Sequence, residues 1–357
     1  MFFASDTGSG AAPEVMAALL RANEGYARSY GADPLTARSR ELIREIFEAP
    51  EAEVHLVATG TAANALALGL LAPPWGAIFC HDHAHIQEDE CGAPEFFTHG
   101  AKLVPVPGPH GRMAPGALRR ALEIAAAGGV HGVQPGAVSI TNVTEAGTLH
   151  SPAQIAALAA EARAFGLPVH LDGARFANAV AGGNASPADL SWRAGVDVLS
   201  LGGTKNGCLG VEAVVIFDPA EAGPGKSWEF ELRRKRGGHL FSKHRFLAAQ
   251  MAAWLEDGLW LRLAAQSNRA AAALAGGLAR IDDVTLRHPV EANILFPEWR
   301  AGRHETLRAA GAQYHAHDPA PGTPTPDHGA TREGARLVTS WCTSAEEIEA
   351  FLALFAA

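Results

Sequence analysis

Between residues 54 and 218, short apolar segments alternate with longer alanine-rich segments, and this pattern constrains the fold of the 357-residue chain more than any other feature. The apolar segments lack the apolar–polar alternation of half-exposed strands, which indicates strands of a parallel sheet covered on both faces. The longer segments carry helix signals, as at 151–166, where Ser151 is a candidate N-cap, Pro152 takes the first helical position and Gly166 ends the helix. We therefore predict an α/β fold in which helices cover a mostly parallel sheet.

After residue 240 the sequence pattern changes. One or two long amphipathic helices are predicted first, followed by strand-like segments, a Pro/Gly-rich loop at 318–330 and a terminal helix. We expect a large domain over residues 1–245, with an N-terminal arm over about residues 1–30, and a small C-terminal α+β domain over 246–357. The strands predicted in the large domain are 54–60, 77–81, 102–107, 137–143, 168–174, 196–203 and 211–218.

Charge and composition exclude some classes of partner. The formal net charge of −9 argues against nucleic acids and anionic membranes, because both attract basic surfaces. No segment approaches the ~20 apolar residues of a membrane-spanning helix, and the N-terminal residues lack the basic and apolar regions of a signal peptide. The four cysteines form no CxxC pair, which is typical of a reducing compartment. We expect a cytoplasmic protein that acts on a small molecule.

A lysine lies in the glycine-rich turn that follows a predicted strand, in the segment DVLSLGGTKNGCLG (197–210). Burying Lys205 there is costly, so it is a candidate for chemistry at the carboxyl edge of the sheet, where α/β proteins bind their ligands. A desolvated lysine is a nucleophile toward aldehydes, with which it forms a Schiff base. A lysine that binds a phosphate or faces solvent is the alternative.

An aspartate ends the predicted strand in the segment LPVHLDGARFANA (167–179). A buried carboxylate such as that of Asp172 needs a cation as its partner. A protonated pyridine nitrogen would be such a cation, and pyridoxal phosphate sites use an aspartate in that role. An internal ion pair between Asp172 and Arg175 is the alternative.

Gly60 and Thr61 lie where a predicted strand passes into a helix. The free backbone N–H groups and the dipole of a helix N-terminus bind anions such as phosphate, although a threonine here can equally be an ordinary N-cap. Together with Asp172 and Lys205, this turn provides contacts for the phosphate, the ring nitrogen and the aldehyde of pyridoxal 5′-phosphate.

Three histidines alternate in the segment HDHAHIQEDE (81–90). On a strand, His81, His83 and His85 would share one face and could bind a metal ion. The predicted strand ends near Cys80 or His81, so we expect no shared face and predict no metal site. A metal-dependent hydrolase built on these histidines is the alternative outside pyridoxal chemistry.

These segments resemble the threonine aldolase group of fold-type-I pyridoxal phosphate enzymes, within the aromatic amino acid β-eliminating lyase/threonine aldolase superfamily. The resemblance covers nearly the whole chain, and its most specific parts surround Asp172 and Lys205. It implies the fold-type-I architecture and cleavage of L-β-hydroxy-α-amino acids, phenylserine- or threonine-like, to glycine and an aldehyde. A β-eliminating lyase on the same fold is the alternative. The matching segments are SDTGSGAAPEVMAAL (5–19), YGADPLTARSRELIREIF (30–47), ATGTAANALAL (58–68), AHIQEDECGAPEFF (84–97), VHLDGARFANA (169–179), GGTKNG (202–207), RRKRGGHL (233–240) and ARLVTS (335–340).

The resemblance also implies a role for individual residues. Lys205 would form the Schiff base, Asp172 would keep the ring nitrogen protonated, and His85 would stack on the ring and handle the hydroxyl proton. The resemblance implies a homodimer or homotetramer with sites at the subunit interface. Arg236 would reach a cofactor phosphate in its own or in a neighbouring subunit. The alternative is that the basic run forms a solvated helix end. The implied catalytic residues are Lys205, His85, Asp172 and Glu90; the cofactor-binding residues are Gly60, Thr61, His85, Asp172, Arg175, Thr204, Lys205 and Arg236; the substrate-binding residues are Ser5, Arg175, Arg336, His83 and Thr144.

The chain departs from the threonine aldolase pattern in three places. Thr144 and Glu145 stand where many members have a second active-site histidine, and Ser340 stands where another histidine is usual. Phenylserine aldolases resemble the chain at both positions, which implies a preference for an aromatic or bulky β-substituent over the methyl group of threonine. Thr204 replaces the usual serine before the lysine. The first two departures leave the identity of the catalytic base open.

Overall fold

The computed structural model describes residues 1–218, 225–317 and 332–355. The Pro/Gly-rich loop predicted at 318–330 lies outside these ranges. The helices are α1 (Pro13–Ala22), α2 (Pro34–Ile46), α3 (Gly60–Leu71), α4 (His85–Glu88), α5 (Ala93–Phe97), α6 (Pro115–Ala127), α7 (Pro152–Ala164), α8 (Phe176–Gly182), α9 (Lys226–Arg236), α10 (Arg245–Leu255), α11 (Leu259–Leu278), α12 (Arg303–Ala309) and α13 (Ala345–Ala353). The strands are β1 (Glu53–Val57), β2 (Gly76–His81), β3 (Lys102–Val106), β4 (Gln134–Thr141), β5 (Val169–Gly173), β6 (Val198–Gly202), β7 (Glu212–Ile216), β8 (Thr285–Leu286), β9 (Ile294–Leu295), β10 (Pro297–Arg300), β11 (His315–Ala316) and β12 (Arg332–Val338).

The large sheet is the centre of the fold. Among the described residues it has seven strands in the order β1-β7-β6-β5-β4-β2-β3. Neighbouring strands from β6 to β3 run parallel, whereas β7 runs antiparallel to both β1 and β6. Each strand predicted in the large domain is present, and the mostly parallel sheet covered by helices confirms the predicted fold class. The parallel strands end at one edge, where ligands of such sheets bind.

Apolar residues cover both faces of this sheet. On one face, α3 and α9 pack through Ala63, Leu66 and Phe230 against strands β1, β6 and β7. On the other face, helices α1, α2, α6, α7 and α10 enclose the largest core. Burial on both sides explains why the strand sequences show no apolar–polar alternation.

A smaller domain follows, with strands in the order β11-β12-β10-β8 and β9 paired to β12. Its core includes residues of α11 from Ala270 onward, α13 and, from the opposite end of the chain, Phe3. The core of the large domain includes residues of α11 up to Ala264. The change between the two cores lies within α11.

Local signals set the helix boundaries. Ser151 and Gln154 form a capping box at the start of α7, in which Ser151 Oγ accepts from the Gln154 amide and Gln154 Oε1 accepts from the Ser151 amide. The long helical segment after residue 240 is broken where Asp257 (φ +52°) and Gly258 (φ +67°) adopt left-handed backbone conformations. No helix in the described ranges has the length and apolarity needed to span a membrane.

Candidate active site

The carboxyl edge of the large sheet brings together residues that lie far apart in the sequence. Asp172 lies on β5, Lys205 in the 3₁₀ turn (Thr204–Asn206) that follows β6, and His85 at the start of α4 after β2. The charge of Lys205 influences the pKa of His85, and so does the charge of Asp172. These three predicted catalytic residues therefore share one electrostatic environment.

Asp172 is a buried carboxylate held by two neutral donors. It is 2% exposed, and the side-chain amide of Asn64 donates to Oδ2 at 3.0 Å while the backbone N–H of Ala174 donates to Oδ1 at 3.0 Å. No ion pair to Asp172 occurs within the described ranges. The predicted alternative, an ion pair between Asp172 and Arg175, is wrong because the guanidinium of Arg175 binds another residue.

Arg175 forms a buried bidentate ion pair with Asp6. Its Nε lies 2.6 Å from Asp6 Oδ2 and its Nη2 lies 3.0 Å from Asp6 Oδ1, with side chains that are 3% and 1% exposed. Asn293 Nδ2 donates a third hydrogen bond to Asp6 Oδ2 at 3.0 Å. Burial alone would raise the pKa of Asp6, but the charge and hydrogen bonds of Arg175 outweigh it and hold that pKa below its usual value. The N-terminal segment is thereby fixed to the carboxyl end of β5.

His85 and Glu90 form a second hydrogen-bonded pair in the site. His85 Nδ1 lies 2.8 Å from Glu90 Oε1, and the same oxygen accepts from Asn64 Nδ2 at 2.9 Å. The hydrogen bond to Glu90 raises the pKa of His85, and burial raises the pKa of Glu90. Asn64 therefore joins two carboxylates, those of Glu90 and Asp172, through one amide nitrogen.

The turn that carries Lys205 is anchored on both sides. Asn206 Nδ2 donates to the carbonyl of Trp260 at 2.8 Å, and the Asn206 carbonyl accepts from Trp254 Nε1 at 2.8 Å. Gly207 has a φ of +94°, a conformation that favours glycine. Lys205 is half-buried, and its charge lowers the pKa of Asp6. The lysine thus lies in a fixed backbone position at the edge of the sheet.

The start of α3 offers backbone donors to an anion. The N-cap is Thr59, whose Oγ1 accepts from the Ala62 amide at 3.2 Å. The predicted alternative of Thr61 as the N-cap is therefore wrong, since the helix already begins at Gly60. The amides of Gly60 and Thr61 occupy the first two helical positions, where backbone N–H groups have no acceptor within the helix. No other acceptor in the described ranges bonds to these two amides. These two amides are free to bind a phosphate.

The predicted substrate-binding residues differ in how available they are. Arg336 on β12 is 23% exposed and lies 3.9 Å from Glu145 Oε2. Burial and the neighbouring charge of Arg175 lower the pKa of Arg336. Thr144 is fully buried, and its hydroxyl lies 2.8 Å from that of Thr148, so it is engaged within the protein. Of these residues, Arg336 is the most accessible cation.

Ser5 and Arg236 lie in less enclosed positions. Ser5 Oγ caps a 3₁₀ turn (Asp6–Gly8) by accepting from the Thr7 amide at 3.2 Å. Arg236 is exposed at the end of α9, where it lines a groove of about 590 Å³ between α5 and α9. The end of the basic run lies near the Gly60–Thr61 turn, because the Ala58 amide donates to His239 Nδ1 at 3.4 Å.

The three histidines of the 81–90 segment have separate partners. His81, the last residue of β2, lies 3.0 Å through Nε2 from the Gly108 carbonyl. His83 is 69% exposed and lies 2.8 Å from Glu88, whereas His85 lies against Glu90. No group of three or more metal-binding side chains is arranged around a common point in the described part of the chain. The strand ends at His81, as predicted.

Three residues of the site were not predicted from the sequence, and each has a signal that could have found it. Asn64 is a polar residue within an otherwise apolar helix, and Glu212 is an acid that begins an apolar strand. Asp6 is an acid within the SDTGSG segment. All three are buried, at 5% exposure or less. A buried polar group needs a hydrogen-bond partner, so each of these residues signals a buried contact, although the sequence does not identify the partner.

Comparison with known proteins gives consistent matches. The model of the β-eliminating lyase family matches residues 3–299. The low-specificity L-threonine aldolase of Pseudomonas aeruginosa is 41% identical over 349 residues, which cover 97% of this chain and 94% of that protein. The corresponding enzyme of a Pseudomonas species is 40% identical over 342 residues, covering 96% and 93%.

Solved structures agree with these matches. A threonine aldolase of Leishmania major superimposes with a TM-score of 0.90 at 29% identity, over 99% of this chain and 98% of that one. A serine palmitoyltransferase of Sphingomonas wittichii has a TM-score of 0.69 at 17% identity, over 99% of this chain and 86% of that one, which shows a shared fold alone. The matches confirm the resemblance to the threonine aldolase group that the sequence motifs predict.

Proposed function

Because the chain belongs to the β-eliminating lyase family, within its threonine aldolase group, we propose that it is a pyridoxal 5′-phosphate-dependent aldolase. It cleaves L-β-hydroxy-α-amino acids to glycine and an aldehyde. The observation that carries this proposal is the convergence of Lys205, Asp172 and the His85–Glu90 pair at one edge of the sheet, with Arg336 nearby.

The residues of the site fit the cofactor. Asp172 is a buried carboxylate with only neutral hydrogen-bond donors in the described ranges, so a protonated ring nitrogen supplies the cation that such a group needs. The amides of Gly60 and Thr61 are free to receive the phosphate. Lys205 is the amine that would bond to the cofactor aldehyde. Bound pyridoxal phosphate supplies an electron sink for the electrons released when the Cα–Cβ bond of the substrate breaks.

The side chains around this position bind the substrate and move its protons. Arg336 binds the substrate carboxylate, because its guanidinium is accessible and its contact with Glu145 is long, at 3.9 Å. Arg175 contributes positive charge at the same place while Asp6 fixes its orientation. His85 accepts the β-hydroxyl proton at Nε2, since Nδ1 is held by Glu90.

Glu90 and Asn64 set the orientation of this histidine. With Nδ1 donating to Glu90 Oε1, the neutral imidazole leaves Nε2 as an acceptor, which is the form that a general base requires. The amide of Asn64 donates to the same oxygen of Glu90 and keeps the carboxylate in place. The base and the ring-nitrogen carboxylate are therefore positioned by one residue.

We propose further that the preferred substrates carry an aromatic or bulky β-substituent, as in phenylserine. One feature supports this preference. The histidines usual in threonine aldolases are replaced by Thr144–Glu145 and Ser340, as in phenylserine aldolases. Glu145 lies close enough to raise the pKa of His85.

Product analysis tests both proposals. The holoenzyme is incubated separately with L-phenylserine and L-threonine, and glycine, benzaldehyde, acetaldehyde, ammonia and keto acids are quantified. We expect glycine and aldehyde in equal amounts, with a higher kcat/KM for phenylserine. Ammonia and a keto acid as the main products would instead identify a β-eliminating lyase, and a higher kcat/KM for threonine would contradict the proposed preference.

The chain is also proposed to act as a homodimer or homotetramer with sites at the subunit interface. The groove between α5 and α9 is lined by two large exposed apolar side chains, Phe96 (74%) and Leu232 (52%), beside the cationic Arg236. Trp228 (67%) is exposed on the same helix, α9. Exposed apolar groups that cluster in this way are typical of subunit contacts. The molar mass in solution is measured by light scattering for Leu232→Asp and for the control Leu20→Asp. Leu232→Asp is expected to dissociate the oligomer, whereas the control is not. An unchanged molar mass in Leu232→Asp would contradict the proposal.

The cysteines bear on location. Cys80, Cys91, Cys208 and Cys342 are all free thiols. Free thiols are typical of proteins in a reducing compartment, which supports the proposal that the enzyme acts in the cytoplasm.

A further inference from the structure

Glu212 is a buried acid that neither the fold nor the proposed reaction accounts for. It is the first residue of β7, is 5% exposed, and begins a strand whose other residues are apolar. The sheet register pairs it with Gly202 on β6 and Val57 on β1. A buried carboxyl destabilises the fold unless its contacts compensate, so the contacts of Glu212 indicate what it does.

Glu212 and the residue before it hold the two residues that precede Lys205. The Gly203 amide donates to Glu212 Oε2 at 3.0 Å. Thr204 Oγ1 accepts from the amide of Val211, the neighbour of Glu212, at 3.2 Å. Through these bonds Glu212 and Val211 hold the turn immediately before the lysine.

The charged and titratable groups that face Glu212 are Lys205, Asp172 and the thiol of Cys208. Burial raises the pKa of Glu212 to about 7, while the charge of Lys205 and the hydrogen bond from the Gly203 amide oppose that rise and the charge of Asp172 adds to it. The same electrostatic attraction acts in return on Lys205, so a positive charge on the lysine nitrogen and a negative charge on Glu212 stabilise each other.

We infer that Glu212 is a positioning residue for Lys205, which fixes the turn before the lysine and supplies the buried counter-charge for the lysine nitrogen. The inference rests on the proposed function, because it takes Lys205 as the amine that bonds to the cofactor. With the cofactor bound, the lysine nitrogen would have to carry and give up a proton when a substrate amine displaces it. A carboxylate beside it stabilises its positively charged form without contacting the substrate.

The test is a pH titration of the visible absorption of the bound cofactor, made on the holoenzyme. The variants are Glu212→Gln, which removes the charge, and Glu212→Asp, which keeps the charge but withdraws it by one methylene group. The matched control is Glu298→Gln, another buried glutamate, located on β10 of the small domain. The dissociation constant of pyridoxal phosphate is measured for each protein.

Loss of the counter-charge removes an attraction that stabilises the positively charged form of the cofactor-bound nitrogen. We expect the titration midpoint of Glu212→Gln to fall by about one pH unit and that of Glu212→Asp to fall by less, while Glu298→Gln titrates as the wild type does. Cofactor affinity falls in Glu212→Gln because a neutral carboxamide is a weaker acceptor than a carboxylate for the Gly203 amide, which holds the turn.

The contrary outcomes are distinct. A wild-type midpoint in Glu212→Gln would overturn the inference, even if cofactor affinity fell. If that variant does not fold, Glu212→Asp decides, and an unchanged midpoint there would overturn the inference. A wild-type holoenzyme without a visible cofactor band would refute the proposed function itself, which separates the two failures.

Discussion

The Asp6–Arg175 ion pair provides the sharpest prediction on stability. Replacing Asp6 with asparagine removes the charge opposite a guanidinium that is 3% exposed. The carboxamide oxygen can accept from Arg175 Nε or from Nη2, but not from both, and the amide nitrogen then faces a donor of Arg175 or Asn293. Breaking a buried ion pair by removing one partner costs about 3–5 kcal/mol. We expect Asp6→Asn to lose that amount of unfolding free energy.

The assay is chemical denaturation at neutral pH, followed by circular dichroism of the cofactor-free protein. The matched control is Glu48→Gln, which breaks the Arg193–Glu48 pair; the side chains there are 39% and 55% exposed, so the expected loss is below about 1 kcal/mol. Because the pKa of Asp6 is lowered in the folded state, its contribution to the free energy of unfolding is present above the pKa of the unfolded state. That contribution is lost as the pH falls through the pKa of the folded state. The difference in unfolding free energy between wild type and Asp6→Asn therefore decreases in acid. A loss at neutral pH as small as that of the control would refute the reasoning.

Three further predictions concern the site. Arg336→Lys is expected to raise KM for the amino acid about tenfold or more with little change in kcat, since it weakens carboxylate binding in both ground and transition states. The control Arg332→Lys, on the same strand, leaves KM unchanged. Equal effects of the two substitutions on KM would contradict the role of Arg336. Asn64→Leu removes the donor shared by Glu90 and Asp172 and is expected to weaken cofactor binding by about tenfold to a hundredfold. The control Asn178→Leu, in the buried contact between α8 and α11, leaves cofactor binding unchanged. Equal cofactor dissociation constants in wild type and Asn64→Leu would be inconsistent with this role of Asn64. Glu90→Gln removes the hydrogen bond to a carboxylate that raises the pKa of His85. The acidic limb of the plot of kcat/KM against pH is therefore expected to move down by about one pH unit. An unmoved limb would show that another group acts as the base.

The sequence predicts the parts of the site that depend on local structure. Asp172 and Lys205 each end or follow an apolar strand, and such strands identify themselves by composition, so both residues could be assigned to the carboxyl edge of the sheet. The capping box of Ser151 and the strand end at His81 are likewise local. The Gly60–Thr61 turn was located correctly, but the N-cap is Thr59, one residue before the first helical residue.

The rest of the site depends on contacts between distant parts of the chain. Asp6 meets Arg175 only because the N-terminal arm folds back over the sheet, a contact across 169 positions. Asn64 reaches Asp172 across 108 positions because α3 lies against the sheet. The break between α10 and α11 depends on left-handed backbone conformations at Asp257 and Gly258. The glycine indicates such a conformation in the sequence, whereas the aspartate does not. No periodicity within one element reports such contacts, and only an isolated polar residue in an apolar setting hints at them.

The central claim, that Lys205 bonds to pyridoxal phosphate, is tested most directly by reducing the holoenzyme with borohydride and locating the cofactor label by peptide mass spectrometry. The other lysines, Lys102, Lys226, Lys235 and Lys243, serve as internal controls. We expect the label on Lys205 and none on the Lys205→Ala variant. A label on another lysine, or none on wild-type holoenzyme, would contradict this assignment.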